Sequence, residues 1–192
     1  MTQETETQQA DWIKRAAAGD VASFRKIYER YLGQVTRTVG RYIGPGPEVE
    51  DVVQDVFVEL HHCLDKVSDY DTFGGWVHRV ARNTAISHVR KRKTSVNFVA
   101  LQTLKEPTSL WGKLTAREKI RALYVAMDCL SDDQREAIVM YELEGNTLQE
   151  IADHTETSIN TIASRVRRGR EQLLKIIKRV LATSDLETGE KV

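Results

Sequence analysis

Residues 147–168 read TLQEIADHTETSINTIASRVRR, two short helices in succession with a tight turn between them. Thr147 and Glu150 have the spacing of a capping box: the threonine hydroxyl accepts from the third backbone N–H, and the glutamate reaches back to the cap. Leu148, Ile151 and Ala152 then fall on the inward face of the first helix. Ala152 supplies the small volume needed where two helices cross closely at ~90–120°. His154 to Thr157 makes the turn, and Ser158 caps a second helix with Ile159, Ile162, Val166 and Leu173 inward. The opposite face shows Asn160, Thr161, Ser164, Arg167 and Arg168. Short polar groups near a helix N-terminus reach base edges, and arginines behind them grip phosphates or guanine, so this is the make-up of a DNA recognition helix. The plainer alternative is a surface helix with an exposed arginine face. The conjunction of capping box, small crossing residue and basic second helix favours recognition.

Outward from this motif the apolar spacing stays helical. Asp20 caps a helix carrying Phe24, Ile27, Tyr28, Tyr31, Leu32 and Val35, which Gly44-Pro45-Gly46-Pro47 ends. A helix from near Glu48 has Val49, Val52, Val53, Val56, Phe57, Leu60 and Leu64 on one stripe. Asp51, Gln54, Asp55, Val58 and His62 lie opposite. Asp71 or Thr72 opens a further helix, with Phe73, Trp76, Val77 and Val80 inward, which runs into Arg90-Lys91-Arg92-Lys93. Periodicity fails from Thr94 to about Lys113 and resumes with Ile120, Leu123, Val125 and Met127. The expected fold is all-α. Residues 1–93 form one small domain, 94–113 a flexible linker, 114–182 a second domain containing the helix-turn-helix, and 183–192 a frayed tail. A strand pair around Val96–Leu101 is the alternative to the linker.

The 192 residues balance 28 Lys+Arg against 28 Asp+Glu, but the balance hides a pattern. Gly44 to Asp71 holds eight acids and one base, and Thr72 to Lys105 holds seven bases and no acid. Asp128 to Glu156 holds nine acids against Arg135, and Thr161 to Arg179 holds seven bases against Glu171. Two acidic-then-basic blocks read as separate faces for different partners, the alternative being solvated faces with internal ion pairs. No apolar run approaches the ~20 residues that span a bilayer, so no membrane insertion is expected. The N-terminus MTQETETQQAD lacks the basic and apolar regions of a secretory signal, and Cys63 and Cys129 make no disulfide framework. A cytoplasmic protein is therefore expected. Enzyme readings find no support. Consecutive helical residues point ~100° apart, so His61-His62-Cys63 cannot share one metal. There is no phosphate loop and no G-x-S-x-G, so neither metal nor cofactor is expected.

Several blocks carry a family resemblance. Ala18-Gly19-Asp20 with Phe24, Tyr28 and Tyr31 is similar to the opening segment of the extracytoplasmic-function sigma factors, small promoter-recognition subunits of bacterial RNA polymerase. Glu50-Asp51-Val52-Val53-Gln54-Asp55-Val56-Phe57 resembles that family's polymerase-docking helix. Phe73 to Asn83, followed by Arg90-Lys91-Arg92, resembles its segment that melts and reads the minus-ten element. Leu130-Ser131 through Arg135, Glu150-Ile151-Ala152 and Thr161 to Val166 resemble its minus-thirty-five domain. The turn departs from the family, with Thr155-Glu156 where Leu-Gly is usual. So do Asn160, where Gly is common, Ala163, where Lys or Arg is common, and Ser87, where Asp is common.

The resemblance implies transcription initiation under the control of an anti-sigma factor, with core RNA polymerase and promoter DNA as partners. It places Asp51, Gln54, Asp55 and Val58 against polymerase. It assigns Tyr70, Arg79, Arg82, Asn83, Arg90, Lys91 and Arg92 to the minus-ten element. The arginines and Lys91 would neutralise phosphates. Asn83 would form the polar wall, and Tyr70 a stacking surface, of a pocket for a flipped base beside the loop Lys66–Asp71. For Asn83 a helix-stabilising contact is the alternative. Asn160, Thr161, Ser164, Arg167 and Arg168 fall to the minus-thirty-five element. The rival function is a free-standing helix-turn-helix regulator whose N-terminal half dimerises or senses a signal.

Overall fold

The computed structural model describes residues 3–67, 72–95 and 115–188, with side chains over 8–67, 72–92, 115–117 and 119–177. All the regular elements among these residues are helical. The chain divides into two compact units, Met1–His88 and Val89–Val192.

In the first unit, α1 (Gln3–Ala17) and α2 (Val21–Ile43) meet at Gly19 and Asp20. Asp20 caps α2, its carboxylate accepting from the Ala22 N–H at 3.2 Å and the Ser23 hydroxyl at 2.6 Å. Gly44 ends α2 at φ +90, where glycine alone carries no Cβ penalty, and its N–H returns to the Gly40 carbonyl at 2.9 Å. Pro47 then leads into α3 (Glu48–Cys63), followed by a 3-10 turn, Leu64–Lys66. α2 packs on both α1 and α3. The expected α3 stripe turns inward except at its start, where Val49 is half-buried: Val52, Val53, Val56, Phe57, Leu60 and Leu64 are buried, each contributing about 1.5–3 kcal/mol. Across the core the Tyr31 hydroxyl donates to Gln9 Oε1 at 2.8 Å, and burial pushes its pKa up.

α4 (Phe73–Ser95) presents a different line from the expected one. Phe73, Val77, Ala81, Ala85 and Val89 are fully buried, whereas Trp76 and Val80 sit half-buried at the margin. Steps of four residues drift around a long helix, and the two alanines let it lie close to its neighbours. Thr84 donates to Glu59 at 2.7 Å and His88 meets Glu48 at 3.2 Å, tying α4 along α3. The division into units falls inside α4, before the expected boundary at 93. Its last turns group with the second unit, where Arg90 pairs with Asp132 at 2.9 Å and Arg92 with Asp128 at 2.6 Å. Residues 94 and 95 of the expected linker are helical, and 96–113, including the alternative strand pair, lie outside the described residues.

The second unit runs α5 (Ala116–Met127), α6 (Asp132–Ile138), a single π-helical turn (Val139–Leu143), α7 (Leu148–His154) and α8 (Ile159–Thr188). α8 thus continues into the expected tail. Ser131 and Gln134 close a capping box on α6, and Thr147 and Glu150 close the expected one on α7. The Ser158 hydroxyl accepts from the Thr161 N–H at 3.2 Å, as its place before α8 implies. Ile151, Ala152, Ile162 and Val166 are buried, so α7 and α8 join through the expected residues. Ile159 is 42% exposed instead of inward. It stands ~60° from Ile162 and ~20° from Val166 around the helix, at the edge of the buried arc and in the first turn of α8. α7 ends in a Schellman pattern, with the Thr157 N–H on the Ala152 carbonyl at 2.9 Å and Glu156 left-handed at φ +51.

Candidate nucleic-acid interface

α8 offers its outer face because its inner face is spent on α6 and α7. Asn160, Thr161, Arg167 and Arg168 are exposed and Ser164 is half-buried, so all five expected residues share one side of the helix. They are not equivalent. The Thr161 hydroxyl lies 2.8 Å from the Ser158 hydroxyl, within the cap. Arg167 pairs with Glu171 one turn on, at 2.9 Å. Such surface pairs contribute ~0–1 kcal/mol, so Arg167 exchanges Glu171 for a phosphate at little cost. Arg168 makes no ion pair among the described residues, which leaves its five donors for a ligand.

On this face a cleft of about 400 Å³ opens between α6 and α8, lined by Ser131, Asp133, Gln134, Asn160, Thr161, Ser164, Arg165 and Arg168. The resemblance assigns Leu130 to Arg135 to the minus-thirty-five domain, but sequence reasoning names none of them as lining this cleft, because periodicity places residues on a helix but not on its neighbour. It gives no role to Gly169 and none of its own to Arg135. A Cβ on Gly169 would stand 2.8 Å from Ile138 Cγ1, so glycine permits the α6–α8 approach. Arg135 is 2% exposed, and its Nη1 donates to Asp128 at 2.7 Å. Burial depresses its pKa, and the Asp128 carboxylate opposes that by holding the charge. Asp128 Oδ1 therefore bridges Arg135 and Arg92.

In the first unit, Asp51, Gln54, Asp55 and Val58 stand exposed at i, i+3, i+4 and i+7 of α3. Val58 is 57% exposed, an apolar point among carboxylates. On α4, Arg79 and Asn83 are exposed one turn apart. Arg90 and Lys91 are exposed and Arg92 is half-buried, with Arg90 and Arg92 held by carboxylates as described. Arg82 does not match the expected surface cation: it is 9% exposed, with Nε and Nη1 inside the domain. Its position beside Ala81 and Ala85 turns it toward the core. Tyr70 and most of the loop beside the expected base pocket lie outside the described residues.

Comparisons with known proteins cover both units. The sigma-70 region 2 family matches residues 27–94, and the sigma-70 region 4 family matches residues 120–173. The ECF RNA polymerase sigma-E factor of Escherichia coli strain K12 is 30% identical, over 84% of this chain and 90% of its own length. The sigma-E factor of Haemophilus influenzae is 25% identical over the same shares. Among solved structures, CnrH in complex with the cytosolic domain of CnrY has a TM-score of 0.56 at 22% identity, covering 90% of this chain and 98% of that one. The sigma factor RpoE of Bartonella quintana, in complex with the anti-sigma factor NepR, has a TM-score of 0.52 at 22% identity, covering 82% and 98%. These two likenesses establish the fold.

Proposed function

The chain belongs to the ECF sigma factors of RNA polymerase, and on that premise we propose that it directs core polymerase to promoters through the faces described above. The observation that carries the reading is the recognition face of α8: Asn160, Ser164 and an uncommitted Arg168 on a helix whose opposite side is locked by Ile162 and Val166. This face takes the minus-thirty-five element. Arg79, Asn83, Arg90, Lys91 and Arg92 take the minus-ten region. There DNA replaces Asp132 and Asp128 with phosphates as the partners of Arg90 and Arg92. The α3 face takes polymerase, with Asp51 and Asp55 meeting a basic surface and Val58 packing among them. The protein binds and positions, and polymerase supplies the chemistry, in the cytoplasm where transcription occurs. Control by an anti-sigma factor is supported by the RpoE–NepR complex of a relative with the same fold. The matched region 2 in the N-terminal half weighs against a free-standing regulator.

The test is reconstitution. Core polymerase with this chain starts transcription at a matched promoter, and Asp55→Arg with Gln54→Ala weakens core binding at least tenfold while far-UV circular dichroism stays helical. A chain that binds palindromic DNA as a dimer, and adds nothing to core polymerase, overturns the reading.

A further inference from the structure

We propose that Asp133 sets the selectivity of the recognition helix by keeping Arg165 off the DNA backbone. The inference rests on the reading of α8 as the DNA-reading helix. Asp133, on α6, faces Asn160, Ser164, Arg165 and Arg168 of α8 across one cleft. Arg165 Nη2 donates to Asp133 Oδ2 at 2.6 Å. The arginine side chain is 26% exposed and the carboxylate 61%, so the pair sits at the cleft's mouth with the acid on the solvent side.

Arginines 165, 167 and 168 stand within one turn, and phosphate contacts add affinity for every sequence alike. Beside the uncommitted Arg168 and an Arg167 that exchanges Glu171 for a phosphate at little cost, a freed Arg165 would therefore raise binding to all DNA and dilute whatever Arg168, Asn160 and Ser164 read. Asp133 prevents this in two ways, and its pair holds where that of Arg167 gives way because the Arg165 side chain is 26% exposed against 65% for Arg167, so solvent and salt screen it less. Its charge cancels that of Arg165 at the point where a phosphate would approach. The hydrogen bond also fixes the guanidinium against α6, which keeps the mouth of the cleft in one shape. Asp133 is thus a positioning residue: it acts through Arg165 and touches no base.

The experiment uses the full chain bound to core polymerase, on promoter DNA with a matched or a scrambled minus-thirty-five element, over a series of salt concentrations. Asp133→Asn is expected to tighten binding to the scrambled element by about five- to tenfold at 0.1 M salt, with a salt slope steeper by about one, the signature of one further released counterion. The matched-to-scrambled ratio falls accordingly. In an Arg165→Gln background, Asp133→Asn should change nothing. An unchanged slope and ratio for Asp133→Asn, or an equal gain without Arg165, overturns the proposal. Arg168→Ala separates this failure from that of the underlying reading. If it loses matched binding while Asp133→Asn is silent, α8 reads DNA and only the role of Asp133 falls. If both variants bind as wild type, both readings fall.

Discussion

Glu156 occupies a backbone position that suits glycine. At φ +51 its Cβ crowds the following carbonyl, a cost of ~1–2 kcal/mol for an L-residue, which glycine avoids while giving back ~0.5–1 kcal/mol through its freer unfolded chain. Glu156→Gly is therefore expected to stabilise the second unit by about 0.5–1 kcal/mol, read as a raised midpoint in urea. Gly169 makes the converse case. Gly169→Ala pushes a methyl to 2.8 Å from Ile138 Cγ1, and overpacking of this kind costs ~1–3 kcal/mol. The same denaturation assay should show the loss, and Ile138→Val or Ile138→Ala in the same chain should recover part of it by making room. The Glu156 turn is visible in the sequence as a departure from the Leu-Gly of the resembling family. The Gly169 contact is not, because a lone glycine in a helical run reads only as a weak spot.

At the scale of the helix, the caps on α2 and α7 are the devices with a pH signature. The Ser23 hydroxyl, with the Ala22 N–H, holds the Asp20 carboxyl below its ordinary value, and the Thr147 N–H and hydroxyl do the same for Glu150. A carboxyl whose folded pKa is depressed contributes stability that is complete above the unfolded value of about 4 and is lost as pH falls through the folded value. Helicity should accordingly decline on acidification from that range, and Glu150→Gln with Asp20→Asn should flatten this limb of the circular dichroism titration. An acid limb of unchanged steepness in the double variant would show that these caps do not set it. Both caps were legible from residue type and spacing alone, since a capping box closes within four residues. The α4 face was legible only in part. Its periodicity announces a helix, but whether Trp76 or Ala81 faces inward depends on where α2 and α3 lie.

For the whole molecule, the alternating charge blocks resolve into partners inside and outside the chain. Some acids of the second block hold arginines: Asp128 with Arg92 and Arg135, Asp132 with Arg90, Asp133 with Arg165. The acids of α3 at Asp51 and Asp55 make no ion pair among the described residues and remain for a partner. The failure of periodicity over 94–113 leads to one more expectation. Limited proteolysis should cut first within 94–113 and yield two fragments that keep helical circular dichroism, identified by mass spectrometry. Early cleavage elsewhere, or fragments that unfold, would count against two independently folding units. The sequence by itself determined the helical class, the helix-turn-helix, its caps and its outward residues. These rest on contacts within a few positions of the chain, where helical geometry leaves little freedom. The tertiary structure alone decided that Arg82 and Arg135 are buried, that Gly169 admits Ile138, and which arginines are held by carboxylates. Arg92 and Asp128 are 36 positions apart, and Arg165 and Asp133 are 32. Local spacing carries no information over such separations, because only the packing of helices brings those side chains within hydrogen-bond reach.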